Sequence, residues 1–409
     1  MQKLKKFICN HKFLLFLFFV SLLLRIFMVF MIDVPVNSNY KMMYDASLEL
    51  ISHTGSYKSC LYFFTFGYQL GYVFFQSILL SIVNSVLFLK IVNCVTSSFT
   101  IVFIYLISKE LSNKKAASII SIIYSIFLFP LLFPSLLSNQ ILSMLLVLIA
   151  IYLWIRQKRI TVFRSIVIGI LLVIAEVLQR DIFIIVIGFV FYLVFLIINN
   201  KEKKMLFLSM ICIVSTFIIL LVTTSYVFKV TGISPNGLAN KNPAWRVLEG
   251  VHVSSNGRIQ EDDFKYLGSV EKTKKELNRR IREDYLDFPK LFLNKIKTIW
   301  FSSDIGRFFN DNKEEEEIQF YIMINQFFVY FFFIMSLLSV ITIFKKIYKS
   351  PQIFISFILV SYFIYYLIVE VTPEYAYSLQ ILEAVLASIT LGYILDKKKK
   401  GVEYGNIRR

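Results

Sequence analysis

Residues 160–199 read ITVFRSIVIGILLVIAEVLQRDIFIIVIGFVFYLVFLIIN. Two apolar runs, 160 to 178 and 182 to 199, flank the short polar break Gln179-Arg180-Asp181. Basic residues collect on the two far ends, with Arg156, Lys158, Arg159 and Arg164 before the pair and Lys201, Lys203 and Lys204 after it. A membrane span needs about 20 apolar residues, and Lys and Arg concentrate on its cytoplasmic side. The stretch therefore reads as a transmembrane hairpin whose Arg180-Asp181 turn faces outward.

Extending that reading gives further runs near 13 to 32, 89 to 108, 116 to 134, 141 to 155, 205 to 228, 319 to 343, 351 to 369 and 377 to 395, ten in all. Lys109, Lys114 and Lys115, then Lys345, Lys346 and Lys349, and finally Lys397 to Lys400 then fall on the same side as the basic amino terminus. Both termini are expected to be cytoplasmic. The run at 13 to 32 follows basic residues as a signal peptide would, but it is too long for one and no small-residue cleavage site follows, so it reads as an uncleaved span. Gly71 to Leu87 is also apolar, yet counting it would place every later basic cluster outside, so it is expected to lie in the outer interface. The predicted fold is an all-α polytopic membrane protein with an interfacial helix and a partly helical external domain. Its parts are 1–228 with a first external loop at 33–88, an extracytoplasmic loop domain at 229–318, and 319–409 with the last spans and a basic tail.

Composition agrees: 57% of the 409 residues are hydrophobic and 17% charged, against roughly half and a quarter in soluble chains. The net charge of +17 does not call for nucleic acid. Residues 230 to 318 hold 15 basic and 15 acidic side chains, so the excess belongs to the cytoplasmic face, where anionic lipid attracts Lys and Arg. Four scattered cysteines and three histidines indicate neither a disulfide framework nor a His-built zinc site.

Ionisable residues within spans are expensive and point to function or to buried pairing. Arg25 lies in span one, and Glu176 and Arg180 stand at i, i+4 spacing near the outer end of span five. Asn37-Ser38-Asn39-Tyr40 opens an expected helix, Lys41 to Ile51, capped by Ser38 or Asn39, with Asp33, Asp45 and Glu49 as the local carboxylates. Asn139 and Gln140 sit in an uncharged outer turn suited either to hydroxyl-rich ligands or to a plain hairpin. The second loop begins TGISPNGLANKNPAWR, residues 231 to 246, expected to be shaped but irregular. Its Arg246 and Arg258 offer planar forks for phosphate, and Trp245 argues against disorder.

This layout resembles the GT-C superfamily of membrane glycosyltransferases. Specifically, it resembles the family 39 type that includes protein O-mannosyltransferases and the aminoarabinose transferase, in the version found in Gram-positive bacteria. Ser38-Asn39-Tyr40 with Ala46 stands where that group has an "SDF" acidic motif, and Phe66-Gly67-Tyr68 with Gly71-Tyr72 resembles the segment leading to its interfacial helix. Asn139-Gln140 resembles the turn after span three, and Arg180 the basic residue closing span five. The 240–246 stretch with Gly250, His252, Ser255, Gly257 and Asp263 resembles a loop motif. Glu370-Val371, Glu374 and Tyr375 resemble an element before the final span, with Glu374 where an Arg is usual.

The resemblance implies transfer of a sugar from a polyprenyl-phosphate donor to a cell-envelope glycan, lipid or protein acceptor at the outer face of the cytoplasmic membrane. It implies Arg180, Arg246 and Arg258 at the donor phosphate, and Tyr40, Asn139, Gln140, Trp245 and Asp263 at the acceptor or loop. No cofactor is assigned, and a divalent metal is left open. The departure is Asn39, where relatives carry an acceptor-facing Asp; an amide takes no proton at neutral pH. Asp33 or Asp45 then supplies the carboxylate, or the chemistry differs, or the chain is a non-catalytic paralogue. A lipid-linked glycan transporter or polymerase is the remaining alternative.

Overall fold

The computed structural model describes residues 2–32, 34–157, 159–199, 203–302, 305–309, 315–346 and 351–406. The chain begins with α1 (Gln2–Met31), then carries α2 (Ser38–Ile51), α3 (Leu61–Thr65) and α4 (Leu70–Ile82) on the first external segment. The apolar runs that follow form α5 (Val86–Leu111), α6 (Lys114–Ser125), α7 (Leu128–Leu132), α8 (Gln140–Ile155), α9 (Val162–Leu178), α10 (Phe183–Asn199) and α11 (Lys203–Val230). The second external segment holds α12 (Pro243–Gly250), α13 (Phe264–Leu267), α14 (Val270–Glu283) and α15 (Phe288–Trp300). After it come α16 (Glu315–Lys346), α17 (Gln352–Ile368) and α18 (Ala376–Asn406).

All ten expected spans are helical, and the chain is a multi-pass α-helical membrane protein. Among the described residues six helices are long and apolar enough to cross a membrane, seven if α6 and α7 count as one bent span. The helices α8, α9 and α17 have 16, 17 and 17 residues. At about 1.5 Å per residue they fall a turn short of a hydrocarbon core of about 30 Å. With 13 residues, α4 reaches only about 20 Å and is too short to span. Among the described residues there is no strand, only an isolated bridge between Phe66 and Asn240.

The expected single span at 116 to 134 is broken: α6 and α7 meet at 63°. Pro130 is the cause, because its ring lacks an N–H and clashes with the carbonyl four residues earlier, at Ile126, where the helix ends. The freed amide of Phe129 donates to Oδ1 of Asn325 on α16 at 3.0 Å, replacing in the apolar interior the bond the break removed.

The core is built around α18, whose apolar window is 78% buried, whereas those of α1 and α11 are 22% buried and face outward. Around it α16 packs on α18, α9 lies between α8 and α11, α5 between α1 and α8, and α10 on α17. Arg25 proves to be a tie between spans. It is fully buried, and its Nε and Nη1 donate to the hydroxyls of Ser97 on α5 and Ser21 on α1, both at 2.8 Å.

The external segments seat on this bundle through two glycines with no room for a side chain. A Cβ on Gly71 would lie 1.9 Å from the Val177 carbonyl oxygen, so α4 presses its backbone on the end of α9. A Cβ on Gly250 would lie 2.2 Å from the Ile368 carbonyl oxygen, so α12 ends against the end of α17. Beside that contact Lys295 on α15, buried, donates to the carbonyls of Gly250, Leu367 and Val369 at 2.7 to 2.9 Å. Its three N–H donors meet three acceptors at helix ends that would otherwise be bare.

Candidate active site at the helix ends

Several parts of the chain converge on one cleft: the start of α2, the turn before α4, the turn into α8, the connection between α9 and α10, Arg307, and the connection between α17 and α18. Arg246 reaches it from α12. The expected irregular loop here is partly helical, because Pro243 at the first turn of α12 supplies a preset φ and needs no amide partner. The cap of α2 is Asn37 rather than Ser38 or Asn39. Ser38 itself sits at φ +52°, a left-handed conformation that costs an L residue about 1–2 kcal/mol. It turns the chain so that Asn39 and Tyr40 line the cleft.

Of the residues expected from sequence, Asn39, Tyr40, Asn139, Gln140, Arg180 and Arg246 line this cleft together. Asn139 donates to the carbonyl of Leu178 at 3.1 Å and to Oε1 of Gln69 at 3.4 Å, joining its turn to α9 and to the segment before α4. Trp245 is buried behind it in a small core with Phe66, Leu248 and Leu267. Three other expectations fall elsewhere. Asp45 is exposed on α2 and does not line the cleft. Arg258 is exposed and lines a separate hollow with Lys297, Phe301 and Tyr330. Asp263 is buried in a bidentate pair with Arg280 at 2.9 and 2.5 Å, which holds α14 to the loop. Asp33 lies outside the described residues.

The electrostatic centre is Arg246. Its Nη1 donates to Oδ1 of Asp181 at 2.7 Å and its Nε to Oε1 of Glu370 at 2.6 Å, with the guanidinium 5.8 Å from the centre of the Tyr365 ring. One cation thus joins the external loop to two membrane hairpins. Burial raises the Glu370 carboxyl above the usual carboxylate range, and Arg246 opposes the rise. Asp181 Oδ1 also accepts from the Tyr365 hydroxyl at 3.1 Å, and no side chain among the described residues donates to its Oδ2.

Arg180 is the more available cation. It stands 3.1 Å from Oε1 of buried Glu176 but without hydrogen-bond alignment, and its side chain is 34% exposed. It lines the cleft and also a second groove of about 360 Å³, formed by Leu221, Val222, Ser225 and Tyr226 on the last turns of α11 with Lys229 beyond them. The opposite wall carries Arg307, Tyr40 and Glu374: Arg307 pairs with Glu374, whose other oxygen accepts from the Tyr40 hydroxyl. Arg307 was not singled out in the sequence, because its partner is 67 residues away. The one available signal was Glu374 itself, an acid standing where an Arg was expected. Among the described residues no group of three or more His, Cys, Asp or Glu is placed to hold a metal ion.

No family model matches the sequence, and no curated protein matches it. Solved structures do. The oligosaccharyltransferase AglB from Archaeoglobus fulgidus, in complex with an inhibitory peptide and a dolichol-phosphate, aligns at 16% identity over 96% of this chain and 52% of that one, with a TM-score of 0.55. The same organism's oligosaccharyltransferase tethered to an acceptor peptide containing the NVT sequon gives 14%, 96%, 50% and 0.57. This chain spans about half the length of these proteins. The transferase ArnT from Cupriavidus metallidurans, bound to undecaprenyl phosphate, aligns at 11% identity over 94% of this chain and 78% of that one; its TM-score of 0.39 gives it no weight here. What the chain shares with these archaeal oligosaccharyltransferase structures, at such identities, is a fold.

Proposed function

We propose that the chain is a glycosyltransferase that moves a sugar from a polyprenyl-phosphate donor to a hydroxyl acceptor at the outer face of the cytoplasmic membrane, with both termini and the basic clusters on the inner side. The observation that carries this reading is the position of Arg180, shared between an apolar groove on the lipid-facing end of α11 and a polar cleft above it. A molecule with a long apolar tail, a phosphate and a sugar fits that sequence of environments. The tail lies along Leu221 and Val222, the phosphate meets Arg180 and Lys229, and the sugar enters the cleft. Arg246, already engaged by two carboxylates, positions Asp181 rather than holding phosphate.

In the displacement the acceptor oxygen bonds to the anomeric carbon as the bond from that carbon to the phosphate oxygen breaks. The phosphate departs with the electron pair, stabilised by the fixed charge of Arg180. The acceptor proton passes to a carboxylate, for which Asp181 is the candidate because Oδ2 is unengaged. Asn39, which cannot serve as base, orients the acceptor through its amide. A non-catalytic relative is the reading that Asn39 would otherwise favour.

Binding of undecaprenyl phosphate to the purified chain, compared between wild type, Arg180→Lys and Arg180→Ala, tests the assignment. Loss of a charge-assisted bond of about 1.5–3 kcal/mol should weaken binding by about 10- to 150-fold in Arg180→Ala. Unchanged affinity with a lower melting temperature would make the Glu176 pair structural and remove the donor site.

A further inference from the structure

A second cavity of about 330 Å³ opens from the cleft, sharing Asn39, Tyr68, Gln69, Arg246 and Tyr375 with it. That volume is within the range of small-ligand sites. It lies between the two loop segments and the connection from α17 to α18. One wall is a run of rings: Tyr68 and Tyr62 lie 5.9 and 5.4 Å from Phe66, Phe66 lies 5.5 Å from Trp245, and Trp245 lies 5.8 Å from Phe264. Trp245 is 3% exposed, and its indole Nε1 has no acceptor among the described residues. At the polar end stands Glu370, 4% exposed. Its Oε1 accepts from Arg246 at 2.6 Å and from the Tyr375 hydroxyl at 3.2 Å, while Oε2 is buried with no donor.

A buried carboxylate oxygen without a donor is costly, and a ligand hydroxyl would relieve that cost. The site thus asks for a molecule with a flat C–H face for the rings and hydroxyls at one end for Glu370, Gln69 and Asn39. An alkyl chain meets the first demand and not the second. A peptide backbone would bring N–H and C=O groups against a wall that offers rings. We infer that this cavity is the acceptor subsite and that the acceptor is a carbohydrate, one ring stacked along Phe66, Trp245 and Phe264 with a hydroxyl donating to Glu370 Oε2. This rests on the proposed transfer reaction, because sharing Arg246 and Asn39 with the cleft is what brings that ring beside the donor sugar.

The test uses the full chain in lipid nanodiscs with Trp154 and Trp300 replaced by Phe, so that Trp245 is the sole indole reporter. Methyl glycosides and β-linked disaccharides of hexose and N-acetylhexosamine are titrated, with an acetylated seryl tripeptide amide as the rival and undecaprenyl phosphate as an independent ligand. A saturable change in Trp245 emission is expected with a saccharide. It should weaken about 3- to 10-fold in Phe264→Ala, the loss of one aromatic contact, and more in Glu370→Gln. Phe264 is 46% exposed, so its truncation leaves the fold intact even should the Glu370 variant unfold. Undecaprenyl phosphate affinity should be unmoved by Phe264→Ala. Response to the tripeptide alone, no response to any saccharide while undecaprenyl phosphate still binds, or saccharide binding indifferent to Phe264→Ala each overturns the subsite and leaves the donor reading standing. Saccharide binding that depends on Phe264, with no undecaprenyl phosphate binding at all, supports the carbohydrate ligand and removes the donor reading.

Discussion

Replacing Arg246 with Met removes one charge and leaves two. Asp181 and Glu370, each now bonded to it through one oxygen, would face each other in a buried setting with only the Tyr365 and Tyr375 hydroxyls as donors. Removing one partner of a buried ionic set typically costs about 3–5 kcal/mol. With an unfolding entropy of about 2.1 cal/mol/K per residue over 409 residues, near 0.9 kcal/mol/K, that corresponds to a drop of roughly 4 to 6 °C in Tm. The defect carries a pH signature. Glu370 is already raised by burial, with Arg246 opposing, so without Arg246 its folded pKa rises further above the unfolded value. The folded state then binds more protons than the unfolded one, and stability is regained as pH falls through the raised pKa. Thermal unfolding of purified wild type and Arg246→Met at pH 8 and pH 5 should show the larger gap at pH 8. A loss under 1 °C, or a gap equal at both pH values, would refute the view that Arg246 is a neutralising hub.

Asp181→Asn should reduce transfer by about 100- to 10,000-fold while Asp45→Asn, on the exposed side of α2, leaves it within assay error; the reverse result would return the base to α2. Lys295→Met strips three carbonyls of their donor and should speed amide exchange in residues 367 to 371 with little change in α1, as read by hydrogen exchange mass spectrometry. Asn278, exposed on α14, should as Cys react with an impermeant thiol reagent in intact cells on a cysteine-free background; labelling only after lysis would invert the topology.

The helices were readable because membrane crossing imposes a requirement of length and apolarity that composition alone reveals. The clustering of Asn39, Asn139 and Arg180 in one cleft was readable for a related reason: alternating basic clusters predict which turns share a side. Apolar length says nothing about breaks, so the 116 to 134 run looked continuous although Pro130 and Pro134 were present to signal the bend. Arg246 was recognised as a planar fork, but a fork suits carboxylates as well as phosphate, and its partners stand 65 and 124 residues away. The same distance in sequence separated Arg307 from its role. The α12 helix was missed because Gly, Asn and Pro dominate the stretch before it, although Asn242-Pro243 is itself a helix-start signal.

The Asn39 departure is best weighed by what the rest of the cleft provides. An amide at that position removes a proton acceptor but keeps a donor and an acceptor of hydrogen bonds, which suits orienting a hydroxyl. The carboxylates of the cleft are not equivalent substitutes. Glu374 has both oxygens engaged, by Arg307 and by Tyr40, and accepting a proton there would break an ion pair. Asp181 has one oxygen held by Arg246 and Tyr365 and the other unengaged, so it is fixed in place and still has room for a proton. If Asp181 is the base, Asn39→Asp adds a third carboxylate to a cleft that already holds Asp181 and Glu374, and should lower transfer or leave it unchanged. A rise of tenfold or more would mean that position 39 is where the reaction needs its carboxylate, and would move the catalytic assignment from the α9–α10 connection to α2.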